Sequence, residues 1–317
     1  MSLNGPHDMC LIDDVPVPVP SAEQILIRVT AAGINFRDIS LSRGMALGGP
    51  PPYLAGFEAA GEIVAVGEAV TSLELGARVI GVGYGAFAEY MVLSAVAAVP
   101  VPAGWTAQQA LGLVVNWPTA LAALRQLGQL AAGQVVLIHA AAGGTGQAAV
   151  KMAKHYGATV IATASPDKHE TVRALGADQV LDSRGTDIAA EVLGLTGGAG
   201  ADVVLESAGR DTFGASLAAA KRVTGRVVVY GLAGGDASIT NWELVYKHQV
   251  HLIGLNIGVL IQAAPQTFGE VMGELFALIA AGVLSPEQPT TYELADGAKA
   301  LADLESRETI GKLALLP

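Results

Sequence analysis

Cysteine is nearly missing: Cys10 is the one thiol in 317 residues. That excludes an intramolecular disulfide and any multi-cysteine zinc site. Basic residues are scarce as well. Lys and Arg number 18 against 29 Asp and Glu, a net charge of −11, with no basic cluster. Nucleic acid and anionic membrane surfaces are therefore not expected partners. No apolar run is long enough to span a bilayer, and no charged start leads into an apolar stretch. The expectation is a soluble, cytoplasmic protein. With 51% hydrophobic residues, the chain has length for two domains and material for a large core.

What is present is organised around one run, Val135-Val136-Leu137-Ile138-His139-Ala140-Ala141-Ala142-Gly143-Gly144-Thr145-Gly146. Its apolar beginning reads as a strand buried on both faces, as a parallel sheet requires. The glycines make a tight turn. Beyond them Ala149, Met152, Ala153 and Tyr156 fall on one helical face, with Gly157 placed as a C-terminal cap. Strand, glycine turn and helix form a dinucleotide fingerprint in which Ala141 stands at the first glycine position. Backbone without side chains lets a diphosphate approach the helix N-terminus, where free N–H groups and the dipole favour an anion. Gly143, Gly144, Thr145 and Gly146 are thus candidate cofactor contacts. Five further apolar runs follow, at 159–163, 179–182, 202–206, 226–230 and 251–256. They predict a six-stranded doubly wound sheet.

Before this sheet the chain reads differently. Pro16-Val17-Pro18-Val19-Pro20 must be extended, and strand-like segments follow at 24–29, 61–67, 78–83 and 85–92. Short strands with glycine turns suggest a compact, barrel-like β domain. Thr106 is placed to cap a helix over 107–114. After the sixth run, helices are expected over 267–281 and 296–305 and a last strand over 311–316. These exceed what a dinucleotide sheet needs. The predicted organisation is 1–115, 116–250, and 251–317 as sixth strand and return to the first domain, with the nucleotide domain inserted in the catalytic one.

Four motifs carry a resemblance. Ala32-Gly33-Ile34-Asn35-Phe36-Arg37-Asp38, Gly56-Phe57-Glu58-Ala59-Ala60-Gly61, the glycine turn above and Gly311-Lys312-Leu313 occur in order at family-like spacing. The chain resembles medium-chain dehydrogenases/reductases, in the zinc-free quinone oxidoreductase and enoyl reductase branch. The resemblance implies an α/β protein, a Rossmann domain inserted in a GroES-like β-barrel domain, with the active site in the cleft between them. The customary first strand is missing or very short, which suits a trimmed chain or an enoyl reductase piece of a larger polyketide synthase. Zinc relatives carry a Cys and a His at two of these motifs; here the positions hold Asn35 and Phe57. Glu58 alone cannot complete a site that needs about three protein ligands. His139, at the end of a buried strand, reads as a satisfied structural histidine, and no metal is expected.

The cofactor expected is NADPH. An NAD-binding sheet ends its second strand in an acid for the ribose 2′-hydroxyl. Here Ser165 holds that place, with Lys168 close behind and Arg184 a further candidate. A hydroxyl and an ammonium suit a 2′-phosphate. Asp167 competes for the same ribose, and a solvated helix-turn role for Lys168 is the plain alternative.

Without zinc no Lewis acid polarises an isolated carbonyl, whereas hydride addition to a conjugated C=C needs mainly positioning and a hydrogen bond. Asn35, beside the nicotinamide by family resemblance, is the candidate polar contact; a turn-stabilising asparagine is the alternative. Tyr53 is a candidate proton or hydrogen-bond donor, the alternative being that no side chain serves and water protonates the enolate. Related enoyl reductases place a tyrosine soon after a Gly-Met pair, but Gly44-Met45 is followed here by Ala46-Leu47. Pro50-Pro51-Pro52 would stiffen the loop before Tyr53. Thr119 matches a family position near the nicotinamide, or else caps a helix. Tyr230, Gly231 and Asn256 end strands facing the cofactor. The resulting expectation is reduction of a small quinone or enone. Enoyl-thioester reduction and a catalytically silent NADPH sensor are the alternatives. The apolar edge around 251–255 predicts a homodimer.

Overall fold

The computed structural model describes residues 5–44 and 53–317. Met45, Ala46, Leu47 and Pro50-Pro51-Pro52, named above, lie outside the described residues. The chain divides into two compact units, Met1–Val115 with Pro286–Pro317, and Asn116–Ser285.

In the first unit the long strand β1 (Gln24–Ile34) is the spine. It pairs along one edge with β2 (Glu58–Val66), and β2 pairs with β3 (Arg78–Val82). Along its other edge it pairs first with β4 (Tyr90–Ser94). The two-residue β5 (Val99–Pro100) lies beside β3. Two short helices belong to the same unit, α1 (Phe36–Ser42) and α2 (Ala107–Ala110).

Two expectations are corrected here. Residues 85–89 are not strand; the chain there is bonded to the irregular segment at 55 and 56, and β4 begins only at Tyr90. Gly85 N–H donates to the Gly56 carbonyl and Phe87 N–H to that of Ala55. The helix expected over 107–114 stops at Ala110, although Thr106 caps it in a capping box with Gln109. Gly112, with φ of +96°, takes the chain out of helix. Its N–H is donated instead to the Glu58 carboxylate.

The second unit opens with α3 (Asn116–Leu121). Its sheet then runs β6 (Val135–Ile138), β7 (Thr159–Ala164), β8 (Gln179–Asp182), β9 (Val203–Glu206), β10 (Arg226–Val229) and β11 (His251–Gly254). Spatial order is β11-β10-β9-β6-β7-β8, all parallel, with the direction of winding reversed between β6 and β9. Crossovers are α4 (Gly144–His155), α5 (His169–Ala174), α6 (Ile188–Leu195) and α7 (Arg210–Ala219). This is the Rossmann order, forced by helices that must cover both faces of an apolar sheet. Leu137, Val204 and Val227 are fully buried under Leu217 and Phe213 of α7 and Val192 of α6.

The second unit keeps more chain than the sequence suggested. Both α8 (Ile257–Ala263) and α9 (Pro265–Ala280) belong to it, and the chain re-enters the first unit at Pro286, well after the sixth strand. Tyr156, at the C-terminus of α4, donates to Glu274 of α9 over 2.6 Å, which ties α9 to this unit. Back in the first unit, β12 (Thr290–Glu293), α10 (Gly297–Ser306) and β13 (Leu313–Leu316) complete a seven-stranded sheet. β13 pairs with residues 32–34 of β1, beyond the stretch that β4 occupies.

Candidate active site

Three elements of the first unit converge on one buried carboxylate. Glu58 starts β2 and is fully buried. Its Oε1 accepts the Gly112 N–H at 2.7 Å. Its Oε2 accepts from Asn35 Nδ2 at 3.1 Å and from Lys312 Nζ at 2.6 Å. Lys312 also donates to Asn35 Oδ1 at 2.8 Å. An ammonium thus sits among the acceptor oxygens, and a buried carboxylate is matched by a cation and two neutral donors. Among the described residues no cluster of His, Cys, Asp and Glu is arranged to hold a metal.

This network redefines Asn35. Its second amide hydrogen goes to the Gly33 carbonyl at 3.2 Å, so both donors and the oxygen are engaged inside the protein. It has no donor left for a substrate carbonyl. The polar contact expected of Asn35 would have to displace one of these bonds.

A cavity of about 370 Å³ opens beside α1, lined by Asp38, Leu41, Tyr53, Leu54, Ala55, Gly56, Tyr84 and Gly85. Tyr53 is half-buried in its wall. Burial, and then the neighbouring Asp38 charge, push its phenol above the ordinary range. Arg37 lies with its guanidinium 3.9 Å from the centre of the Phe57 ring and donates to the Tyr84 hydroxyl at 3.4 Å. Phe57 and Tyr84 meet edge to face. At the positions where zinc relatives carry ligands, this chain has an amide inside an ion-pair network and an aromatic ring under an arginine.

In the second unit the glycine turn stands where the winding of the sheet reverses. Gly143 is the N-cap of α4, and Gly144, Thr145 and Gly146 form its first turn. A Cβ on Gly146 would run into the Ala140 carbonyl, and one on Gly231 into that of Ser207. Both glycines hold chain segments in contact that any side chain would separate. Asn116 fixes the turn by donating to Thr145 Oγ1 at 3.0 Å. Backbone N–H groups at the start of a twelve-residue helix, beside a switch point, suit a diphosphate. The residues present fit a dinucleotide.

Ser165 and Lys168 follow β7, and both are buried. Ser165 lies beside Asp167, whose carboxyl its hydroxyl helps to hold below the ordinary range. Arg184 lies exposed just after β8, whose Asp182 pairs with Ala164 of β7. All three therefore stand at the C-terminal ends of adjacent strands. Tyr230 and Gly231 follow β10, and burial raises the Tyr230 phenol above its ordinary range. Asn256 is otherwise engaged. Its Oδ1 accepts the N–H groups of Gly258 and Val259 and caps α8. Thr119 lies buried inside α3, three residues past its start, so it is not the N-cap that the sequence also allowed.

His139 is held in a closed network. Ser216 donates to Glu206, so its oxygen must accept from His139 Nε2 at 2.9 Å, leaving Nδ1 to accept from Thr163 at 3.2 Å. Glu206 also accepts from the Ala208 and Gly209 N–H groups and the Thr212 hydroxyl. Burial holds the imidazole below its ordinary pKa. It is neutral and fully partnered.

Residues 21–103 match the alcohol dehydrogenase GroES-like domain family, and residues 144–277 the zinc-binding dehydrogenase family. The chain belongs to the medium-chain dehydrogenase/reductase superfamily, in its zinc-free quinone oxidoreductase and enoyl reductase branch. A quinone oxidoreductase of Pseudomonas syringae pv. tomato DC3000 superimposes with a TM-score of 0.92 at 34% identity, covering 99% of this chain and 97% of that one. The Escherichia coli quinone oxidoreductase complexed with NADPH gives 0.90 at 32%, with 99% and 97% covered. Among curated proteins, the pikromycin polyketide synthase component PikAII of Streptomyces venezuelae is 36% identical over 92% of this chain and 8% of its own length. The chain spans less than a tenth of that relative. The superfamily is one of oxidoreductases, and the Escherichia coli relative is complexed with NADPH.

Sequence reasoning passed over three members of the first unit's site. Asp38 and Lys312 were visible only as letters of motifs, and Tyr84 not at all. Asn35-Phe36-Arg37-Asp38 does carry a readable signal, an N-cap residue followed by an acid at the third helical position. The Asp38 carboxylate accepts the Asn35 N–H at 2.8 Å, as that spacing requires.

Proposed function

We propose that this protein is an NADPH-dependent, zinc-independent reductase that transfers hydride to a quinone or to the C=C bond of an α,β-unsaturated carbonyl compound. The observation that carries the reading is the Lys312 ammonium between Asn35 Oδ1 and Glu58 Oε2. With a cation already bonded among these oxygens, the acceptor must bring its own activation, and a conjugated carbonyl does so.

NADPH, when bound, supplies the hydride. The Gly143–Gly146 turn offers the N–H groups for its diphosphate. Buried Ser165 and Lys168, with Arg184, offer a hydroxyl and two cations for a 2′-phosphate. Tyr53 and Tyr84, the latter packed edge to face on Phe57, give the first unit's cavity walls suited to a flat conjugated acceptor.

The test is oxidation of NADPH and NADH with 1,4-benzoquinone, a simple enone and a crotonyl thioester, each with and without chelator. Chelator-insensitive oxidation of NADPH by the first two supports the reading. Turnover confined to the thioester would favour the second reading, an enoyl-thioester reductase, which the similarity to a polyketide synthase component motivates. Tight NADPH binding without turnover of any acceptor would leave a sensor.

A further inference from the structure

We infer that Asp38 is the proton donor of the first unit's cavity, delivering its proton to the carbonyl oxygen of the acceptor as hydride adds; this rests on the reductase reading above. Asp38 occupies the third position of α1 and lines the cavity with Tyr53 and Tyr84. Its two oxygens are treated differently. Oδ2 accepts the Asn35 N–H at 2.8 Å, whereas Oδ1 is buried with no hydrogen-bond partner. A buried carboxyl oxygen without a donor is costly if it carries charge and far less so if it carries a hydrogen.

The surroundings agree. Burial raises the Asp38 carboxyl to about 7, against the lowering effects of the Asn35 N–H, Lys312 and Arg37, with Glu58 adding to the rise. Tyr53 lines the same cavity, its own phenol pushed upward by burial and by Asp38. Between the two, Tyr53 holds its proton too firmly to release it near neutral pH, while Asp38 is matched to that range. Lys312 is bonded to Asn35 and Glu58.

The balance is simple. The C–H bond formed at the β-carbon of the enone would take its electron pair from the nicotinamide C–H bond that breaks; the C=C π pair becomes the new Cα=C bond of the enol, and the C=O π pair moves onto the oxygen. There the Asp38 O–H bond breaks and an enol O–H forms. The carboxylate left behind regains a proton from water before the next turnover. Reduction of a quinone differs only in that the oxygen protonated becomes that of a hydroquinone.

The experiment measures single-turnover hydride transfer from NADPH to enone and quinone between pH 5.5 and 8.5, for wild type, Asp38→Asn and Tyr53→Phe. Asn keeps an oxygen for the Asn35 N–H and removes the acid. In wild type the rate should fall about tenfold per pH unit above about 7, and D38N should be slower by about 100-fold and independent of pH. NADPH affinity, read by fluorescence, should stay unchanged in D38N. A wild-type rate flat across this range overturns the proposal, and that arm survives any misfolding of D38N. So does a D38N enzyme with the wild-type rate and profile, or loss of the limb near pH 7 in Y53F. Wild type that turns over no acceptor at any pH is a different failure: it overturns the reductase reading and the proton donor together.

Discussion

Lys312 Nζ lies 2.6 Å from Glu58 Oε2, joining the residue before the last strand of the first unit to the residue that opens its second. Glu58 is fully buried and Lys312 only 12% exposed, so removing one partner strands a charge out of reach of water. Lys312→Met is expected to lower stability by about 3–5 kcal/mol. Adding Glu58→Gln should restore much of the loss. Urea unfolding of the three proteins checks this. Equal midpoints for wild type and K312M would show that the pair carries no stabilisation.

Cofactor preference should follow the cations after β7 and β8. Lys168→Ala is expected to weaken NADPH binding by about 10–100-fold, the worth of a charge-assisted hydrogen bond, and to leave NADH binding nearly as it was. Arg184 is exposed, so Arg184→Ala should have the smaller effect, shrinking further at high salt. Titrations of both nucleotides decide the matter. Parallel losses for NADPH and NADH would place Lys168 outside the 2′-phosphate site.

His139 should make stability sensitive to acid. Its pKa is held below the unfolded value of about 6.5 by burial. The unfolded chain then binds the proton first, so the stabilisation is complete above about pH 6.5 and is lost as pH falls through and below it. His139→Gln should flatten that part of the profile. Denaturation midpoints from pH 7.5 to 5 measure it, and an unchanged slope in the variant would exclude His139 as its source.

The edge of the nucleotide sheet predicts an oligomer. β11 pairs only with β10 among the described strands, and His251, Leu252 and Gly254 are exposed along it. An exposed apolar edge is a template for pairing, and a two-fold axis closes it. Light scattering should give a dimer, and Leu252→Lys should shift it toward monomer. A wild-type monomer at micromolar concentration ends this prediction.

The four inner strands of the parallel sheet were legible because a strand covered on both faces is mostly apolar, and all six predicted runs hold a strand at nearly their own limits. The first unit was less legible where the backbone serves a site. Nothing near Gly112 says that its N–H is wanted by Glu58, 54 residues earlier, and so the helix was drawn too long. The engagement of Asn35 was hidden for the same reason. Its partner Lys312 lies 277 residues away, and only the fold shows that the amide is already taken. Local signals survived where the partners are local, as in the Thr106 cap with Gln109 and the Asp38 carboxylate on the Asn35 N–H.

β13 closes onto residues 32–34 of β1, and this fixes an order of events during synthesis. The nucleotide-binding unit is one uninterrupted segment, 116–285, and can fold as soon as that segment is free. The other unit begins first and finishes last. Until residues 312–316 leave the ribosome, the edge of β1 stays open and the Glu58 carboxylate lacks its cation. The inserted unit matures while its host waits, and a nascent chain stalled between 285 and 312 would expose an unfinished sheet to whatever strands lie nearby.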